Sequence, residues 1–295
     1  MASAALEKLI AAKRANPYRP EKSVEELRAE AEARAAEPLP EGTVCETVDA
    51  DGVAAEWVSG AGSSAERTFL FIHGGGYYRG SPASSRAATS RLSTATGARV
   101  LSTSYRLAPE NAFPAAIDDI YTVYRWMLTQ GADAGTCMVG GISAGGGLTL
   151  ALLLKLKAAG DPLPAGAVPM SAWTDLTQSS NTYQSKADID PSISKQYLDR
   201  MAEAYLAGAD PKTPLASPLY GDLAGLPPML VQVGTAETMY DDSRLYAEKA
   251  QAAGVDITFE PWEDMIHGWH GSAAVLPEAQ EAIDSVGAYF KSRIP

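Results

Sequence analysis

The sequence predicts an α/β fold in which a mostly parallel sheet of eight strands is covered by helices. From about residue 67 onward, short apolar strands alternate with segments of helical periodicity. The strands are continuous apolar runs, such as FLFI at 69–72, as expected for strands buried on both faces. Two further strands at 43–50 and 53–60 precede this alternation, joined by a turn at Asp51 and Gly52.

Residues 1–40 are predicted to form a helical segment outside the sheet. They are rich in Ala, Glu and Arg, and Ser23 followed by Glu26 is a capping pattern at a helix start. Charged residues interrupt the apolar pattern of the first 20 residues. We therefore expect an amphipathic helix there rather than a signal peptide.

The main domain is expected to span residues 41–295. Its predicted strands, after the first two, are 67–73, 98–105, 136–142, 165–173, 227–234 and 255–262. Its predicted helices are 85–96, 115–130, 144–159, 241–253 and 277–293, several of them ended by a glycine.

Residues 176–222 break this rhythm with one or two helices and several proline-rich turns. An insertion of this length is usually functional. We expect it to form, together with residues 1–40, a cap over the carboxyl edge of the sheet.

The composition disfavours several classes of partner. The net charge is −12, from 24 basic and 36 acidic residues, so nucleic acid and anionic membranes would be repelled. No apolar run approaches the roughly 18 residues that span a bilayer. Cys45 and Cys137 show neither metal-site nor disulfide spacing, and three histidines are too few for a His-rich metal site. We expect no metal and a cytoplasmic setting.

The stretch Gly141-Ile142-Ser143-Ala144-Gly145 lies between a predicted strand and a predicted helix. This is the placement of a nucleophile elbow, in which a serine on a sharp turn presents its Oγ. The pattern G-x-S-x-G also arises by chance in sequences rich in Gly, Ser and Ala. The strand before it and the helix after it favour the catalytic interpretation.

Polar residues that follow the carboxyl ends of parallel strands collect at one edge of the sheet. Ser143, Glu237 and His267 follow three such strands, in the order nucleophile, acid, base. We expect His267 to take the serine proton and Glu237 to hold the imidazole tautomer.

Rival residues stay open for two of these roles. His270 is a second candidate base, and Asp241 and Asp242 are candidate acids one helical turn beyond Glu237. Glu237 could also be a solvated residue at a helix start, where the helix dipole favours it.

An oxyanion hole is expected from backbone N–H groups beside the nucleophile. The strand at 67–73 ends in His73-Gly74-Gly75-Gly76, and glycines let a loop approach a substrate closely. We expect the N–H groups of Gly75, Gly76 and Ala144 to stabilise the tetrahedral oxyanion.

Four aromatic residues in the same loops have two interpretations. Tyr77, Tyr78, Trp173 and Trp269 are expected either to line a substrate pocket or to be ordinary core residues.

A further pair, Arg106 and Glu110, is expected to form a buried ion pair that organises the loops.

The sequence resembles the bacterial hormone-sensitive-lipase-like esterases, an α/β-hydrolase family. The matching segments are FIHGGGYYRGS, YRLAPENAFPAAIDD, GISAGGG, SAWTDLT, VGTAETMYDDS and MIHGW, which lie between residues 69 and 270. The resemblance implies an α/β-hydrolase fold with a helical cap, small acyl-ester substrates and no metal or organic cofactor. Homodimers are common in the family. Within it, the chain most resembles short-chain carboxylesterases and monoterpene ε-lactone hydrolases.

Two positions depart from the family pattern. Ile142 stands where the family usually has Asp before the nucleophile, and Glu237 stands where the acid is commonly Asp. The nucleophile and both glycines remain, so the first departure puts in doubt only a polar network behind the elbow.

We predict a serine carboxylic-ester hydrolase that acts on short- to medium-chain acyl esters through an acyl-enzyme. A lactone hydrolase would use the same residues on a cyclic ester, and an amidase would use them on a poorer leaving group. A non-catalytic small-ligand-binding protein on the same fold is the alternative from another class.

Overall fold

A computed structural model describes residues 2–17 and 21–294. Its eight strands form one sheet with the order β1-β2-β4-β3-β5-β6-β7-β8. The strands are β1 Val44–Ala50, β2 Val53–Ser59, β3 Ser64–Ile72, β4 Ala98–Thr103, β5 Cys137–Ile142, β6 Gly166–Met170, β7 Met229–Gly234 and β8 Ile257–Trp262. β1 pairs antiparallel with β2, and β2 antiparallel with β4, whereas all other pairs are parallel. The predicted α/β fold with a mostly parallel eight-stranded sheet is confirmed.

The register of the central strands aligns their carboxyl ends. Ile72 of β3 lies opposite Gly141 of β5, and Ile142 of β5 lies opposite Met170 of β6. Gly234 of β7 lies opposite Trp262 of β8. The loops that leave these strands therefore begin at the same edge of the sheet, where ligands bind in open α/β sheets.

Helices cover both faces of the sheet. They are α1 Ala4–Ala15, α2 Val24–Glu32, α3 Pro82–Thr96, α4 Ala115–Thr129, α5 Ala144–Ala159, α6 Thr182–Ser185, α7 Lys195–Leu206, α8 Tyr240–Ala252 and α9 Pro277–Arg293. α5 is apolar nearly all round and is buried along most of its length, as expected for a helix in the core. It ends at Gly160, whose φ of 72° is the left-handed conformation that glycine favours.

The N-terminal helices and the inserted segment both pack onto the main domain. Leu6 of α1 is fully buried in a cluster with Ile266 and Trp269. Leu27 of α2 and Met201 of α7 belong to the main hydrophobic core. Part of the apolar face of each segment is therefore removed from water, which stabilises its position over the sheet.

Arg28 is the main polar link between α2 and the loops of the main domain. Its guanidinium donates two hydrogen bonds to Glu110, at 2.8 and 2.6 Å. It also donates to the carbonyl oxygens of Tyr78 and Ala108, at 2.9 and 3.0 Å. The hydrogen bonds from Arg28 hold the pKa of Glu110 at about 2, so the pair stays ionised in neutral solution.

The expected pair between Arg106 and Glu110 is wrong. Arg106 instead binds the carboxylate of Asp119 on α4, with its closest contact at 2.8 Å. The physical reason is that Arg28 occupies both carboxylate oxygens of Glu110. Arg28 lies 82 positions from Glu110 along the chain, so the local sequence around Glu110 could not predict this partner.

Replacing Arg28 with Ala should loosen the N-terminal helices while the sheet stays folded. The change removes four hydrogen bonds, and we expect the amides of α2 to exchange hydrogen roughly tenfold faster. Hydrogen exchange followed by mass spectrometry of peptides checks this. Ala29→Gln, at an exposed position of the same helix, is the control. Unchanged exchange in α2 of the Arg28 variant would contradict the assigned link.

Candidate active site

Ser143 lies in the tight turn between β5 and α5. Its φ of 61° and ψ of −121° are a strained conformation for a residue with a side chain. A Cβ on Gly145 would collide with the carbonyl oxygen of Ile72, and one on Gly141 would lie 2.5 Å from the same oxygen. The turn therefore requires both glycines, which explains their positions two residues before and after the serine.

A continuous hydrogen-bond chain joins the three predicted triad residues. His267 Nε2 lies 2.9 Å from Ser143 Oγ, and His267 Nδ1 lies 2.8 Å from Glu237 Oε2. A carboxylate can only accept, so Nδ1 carries the proton in the neutral imidazole and Nε2 is left to accept from the serine hydroxyl. The arrangement matches the roles expected of nucleophile, base and orienting acid.

Glu237 is held rigidly behind His267. Its carboxylate is fully buried, and Oε1 accepts hydrogen bonds from Ser171 Oγ at 2.6 Å and from the Gly234 N–H at 2.7 Å. These two donors satisfy the buried oxygen Oε1 and fix the orientation of the carboxylate toward His267. The sequence analysis did not identify Ser171 as a site residue. Its position directly after β6, in the same edge as Ser143, was the available signal.

The rival acids are engaged elsewhere. Asp241 forms an ion pair with Arg244 at 2.8 Å. Asp242 accepts from the N–H groups of Thr174 and Asp175 and from the Tyr183 hydroxyl. Burial raises the pKa of Asp242 to about 7, although the hydrogen bonds from Tyr183 and Thr174 oppose the shift.

The rival base, His270, points into the core. Its Nε2 lies 3.0 Å from Gln232 Oε1, and its ring packs on Trp269 with centroids 3.7 Å apart. Burial, and secondarily the charge of His267, lowers the pKa of His270 to about 3. It is therefore uncharged near pH 7, and its hydrogen bond is to Gln232 rather than to Ser143.

The loop after β3 presents two backbone donors beside the nucleophile. Gly75 and Gly76 have φ values of 117° and 65°, and a Cβ on Gly76 would collide with Met201. Within residues 2–17 and 21–294, neither N–H group donates to a protein acceptor. Ala144 is the first residue of α5, where a helix leaves its N–H groups without intrahelical partners. These are the donors expected of an oxyanion hole.

His73 supports this loop without taking part in the hydrogen-bond chain. Its ring stacks on Tyr105 with centroids 4.3 Å apart, and its Nδ1 lies 2.8 Å from the Gly74 carbonyl oxygen. Burial lowers the pKa of His73 to about 4, so the ring is neutral.

The four aromatic residues do not line the cavity, which corrects the expectation of a substrate pocket. All four are at most 2% exposed. Tyr77 stacks on Tyr205 with centroids 3.8 Å apart, and Trp269 packs in the cluster that holds Leu6. Their backbones lie in the site loops, but packing of large apolar rings turns the side chains into the core.

A cavity of about 770 Å³ opens at Ser143. We call the loop between β3 and α3, residues 73–81, the oxyanion loop. Its glycines, together with His267 and Ile142, line the cavity on the side of the sheet. Residues from α1, α2 and the inserted segment line the other side. Ile142 is half-buried at this wall, so the position that is usually Asp carries an apolar surface here.

The described part of the chain contains neither a metal-binding cluster nor a membrane-spanning helix. No group of three or more His, Cys, Asp or Glu side chains is arranged to hold a metal ion among these residues. None of the helices described is both long and apolar enough to cross a membrane.

The chain matches a family model described as alpha/beta hydrolase fold over residues 69–271. It is 46% identical over 238 residues to an acetyl-hydrolase of Streptomyces hygroscopicus, covering 81% of this chain and 79% of the relative. A solved esterase of the bacterial hormone-sensitive lipase family is 41% identical, with a TM-score of 0.97 over 100% of both chains. The chain belongs to the bacterial hormone-sensitive-lipase-like esterases. An esterase of Acinetobacter venetianus is also similar, with 36% identity over 79% of this chain and 77% of the relative.

Membership in this esterase family confirms the predicted α/β-hydrolase fold and the predicted class of enzyme. The protein is a carboxylesterase-type hydrolase. The resemblance noted between residues 69 and 270 coincides with the segment that the family model matches.

Acid should destabilise the fold through its buried histidines. His270 binds a proton more readily when unfolded, because its pKa is lowered in the fold. Its stabilising contribution is therefore complete above about pH 6.5 and is lost as the pH falls toward 3. At pH 5 this loss is about 2 kcal/mol for one such histidine.

The variant His270→Gln stays neutral and keeps a donor for Gln232. We expect its unfolding free energy to fall less between pH 7 and pH 5 than that of the wild type, by about 2 kcal/mol. Urea unfolding at the two pH values measures the difference. Equal losses in both proteins would show that His270 is not held neutral by the fold.

Proposed function

We propose that this esterase hydrolyses short- to medium-chain acyl esters through an acyl-enzyme formed on Ser143. The observation that carries the proposal is the hydrogen-bond chain from Ser143 through His267 to Glu237, at 2.9 and 2.8 Å, at the floor of a cavity. The two relatives named above, described as an acetyl-hydrolase and an esterase, support the same chemistry.

In the first half of the reaction, Ser143 Oγ attacks the ester carbonyl carbon while His267 Nε2 takes the serine proton. The N–H groups of Gly75, Gly76 and Ala144 stabilise the negative charge that develops on the carbonyl oxygen. The carbon–oxygen bond to the alcohol then breaks, and the imidazolium gives its proton to the departing alkoxide. Glu237 stabilises the imidazolium while it exists.

In the second half, water replaces the alcohol. His267 takes a proton from the water, whose oxygen attacks the acyl carbon of the acyl-enzyme. Breakdown of this second tetrahedral intermediate returns the proton to Ser143 and releases the carboxylic acid. The same groups therefore serve both halves.

The cavity supports the proposed range of acyl chains. A volume of about 770 Å³ lies within the range typical of sites for small ligands. Residues 1–40 and 176–222, which we propose as the cap, contribute much of its wall, since Lys13, Leu27, Ile193 and Met201 all line it. Long acyl chains would have to extend beyond this wall into solvent.

A series of p-nitrophenyl esters from acetate to palmitate tests the proposal. We expect kcat/KM to peak at short or medium chains, and Ser143→Ala to reduce kcat by about 10⁴-fold or more, because nothing else can form the acyl-enzyme. Ser185→Ala, an exposed serine of the inserted segment, is the matched control. Full activity in the Ser143 variant would contradict the assigned nucleophile. Turnover of lactones but of no open-chain ester would move the assignment to cyclic esters.

A further inference from the structure

The cavity at Ser143 has a positively charged wall. Among the residues that the structure describes, four basic side chains line it, Lys13, Lys22, Arg34 and Arg79, against one acidic side chain, Glu30. The whole chain has the opposite balance, with a net charge of −12. A local excess of cations in an acidic protein is a specific feature of this cavity and not a consequence of overall composition.

Two of these cations are neutralised within the protein. Lys22 pairs with Glu30, and Arg34 binds Glu37 Oε1 at 2.9 Å and the Gly271 carbonyl oxygen at 2.8 Å. Their charges are already paired, so they have little charge left for a ligand.

The other two cations, Lys13 and Arg79, have no carboxylate within ion-pair distance among residues 2–17 and 21–294. The Arg79 guanidinium lies 5.5 Å from the centre of the Tyr197 ring. Its aliphatic stem runs over the oxyanion loop, where its Cγ would be 3.0 Å from a Cβ on Gly75. The charge of Arg79 is thus attached to the loop that would bind the ester carbonyl.

These cations repel one another. The pKa of Lys13 is lowered, first by burial and then by the charges of Arg34 and Arg79. Asp190 acts in the opposite direction and is the opposing carboxylate near Lys13. An anion bound between Lys13 and Arg79 would relieve this repulsion.

Asp190 is itself committed to the backbone. It accepts from the N–H groups of Ser192 at 2.9 Å, Ile193 at 3.3 Å and Thr238 at 2.9 Å. It therefore shapes the inserted segment beside the cavity and does not form an ion pair with either free cation.

A polar side chain without a partner lies on the same wall. Ser192 lines the cavity, and its buried hydroxyl has no hydrogen-bond partner among the residues that the structure describes. Buried hydroxyls are normally satisfied, so this one is available to a bound ligand.

We propose that the substrate of this esterase carries a second, negatively charged group, a carboxylate or a phosphate, which Lys13 and Arg79 bind while the ester carbonyl lies at Ser143. The inference rests on the proposed function, since it assigns a substrate class to the same site. Ammonium and guanidinium groups make strong charge-assisted hydrogen bonds to either anion. Because Arg79 and the oxyanion glycines share one short loop, the substrates to test are those in which a few carbon atoms separate the ester from the anion.

The test compares esters that carry a second, anionic group with neutral counterparts of the same chain. Monoethyl succinate, glutarate and adipate carry a free carboxylate, and the corresponding diethyl esters are neutral. A separate arm compares 3-acetoxypropyl phosphate and 4-acetoxybutanoate, each against propyl acetate, which distinguishes a phosphate from a carboxylate at the same position on the alcohol side. The readout is the ratio of kcat/KM for the charged ester to that for its neutral partner, so a general loss of activity cancels.

We expect the wild-type ratio to be about ten in at least one arm at low salt. It should fall as ionic strength rises, because salt screens the charges. Lys13→Met and Arg79→Met should each lower that ratio by roughly tenfold. Arg79→Lys should keep most of it, because the charge remains. Lys8→Met, at an exposed position of α1 outside the cavity, is the matched control and should leave the ratio unchanged.

The outcomes separate this inference from the proposed function. Hydrolysis of neutral esters with a ratio near one that neither substitution moves would contradict the anionic substrate and leave the Ser143 mechanism intact. A ratio that falls equally in Lys8→Met would also contradict it, because the effect would then be one of overall charge. Absence of turnover on every ester would contradict both proposals together.

Discussion

The strained turn at Ser143 is the constraint on which the rest of the site depends. Because Ser143 adopts a φ of 61°, β5 ends and α5 begins within one residue, and the serine Oγ is lifted above the sheet edge. The turn is stable because Gly141 and Gly145 have no Cβ. Their backbones can therefore pack against the end of β3, where a side chain would collide with the Ile72 carbonyl oxygen. The same closeness places the oxyanion loop, which leaves β3, beside the nucleophile. The strain is localised at one residue, as is common at functional sites, and the packing of strand against helix maintains it.

The parts of the site that follow from chain order were predictable, and the parts that follow from packing were not. Ser143, Glu237 and His267 each follow a recognisable strand, so a parallel sheet alone brings them to one edge. Ser171 follows a strand too, but nothing in its local sequence says that its hydroxyl binds Glu237 from 66 positions away. Trp173 and Trp269 lie in the expected loops, yet their side chains turn into the core, because burial of large rings outweighs their local position. The ion pair of Arg28 with Glu110 has the same origin in distant segments.

The N-terminal helices connect stability with specificity. Leu6 and Leu27 bury apolar surface against the main domain, and Arg28 adds hydrogen bonds to its loops. That anchoring holds Lys13 at the cavity, which Arg79 also lines. A mobile α1 would leave its lysine in water, where a single exposed charge contributes little to binding. The helices are thus a fixed wall of the site, and we propose that the charged part of this wall selects the substrate for the reaction at Ser143.

The central claim is that Ser143 is the residue that becomes covalently modified. The most direct measurement is the intact mass of the protein after reaction with diethyl p-nitrophenyl phosphate, followed by peptide mapping. The Ser143 oxygen would displace p-nitrophenolate and retain the diethyl phosphoryl group, because a phosphate triester is hydrolysed far more slowly than the carboxylic ester of an acyl-enzyme. We expect one adduct per chain, located on the peptide that contains Ser143, and none in a chain that lacks this hydroxyl. An adduct on another serine, or no adduct on a folded chain that hydrolyses esters, would contradict it.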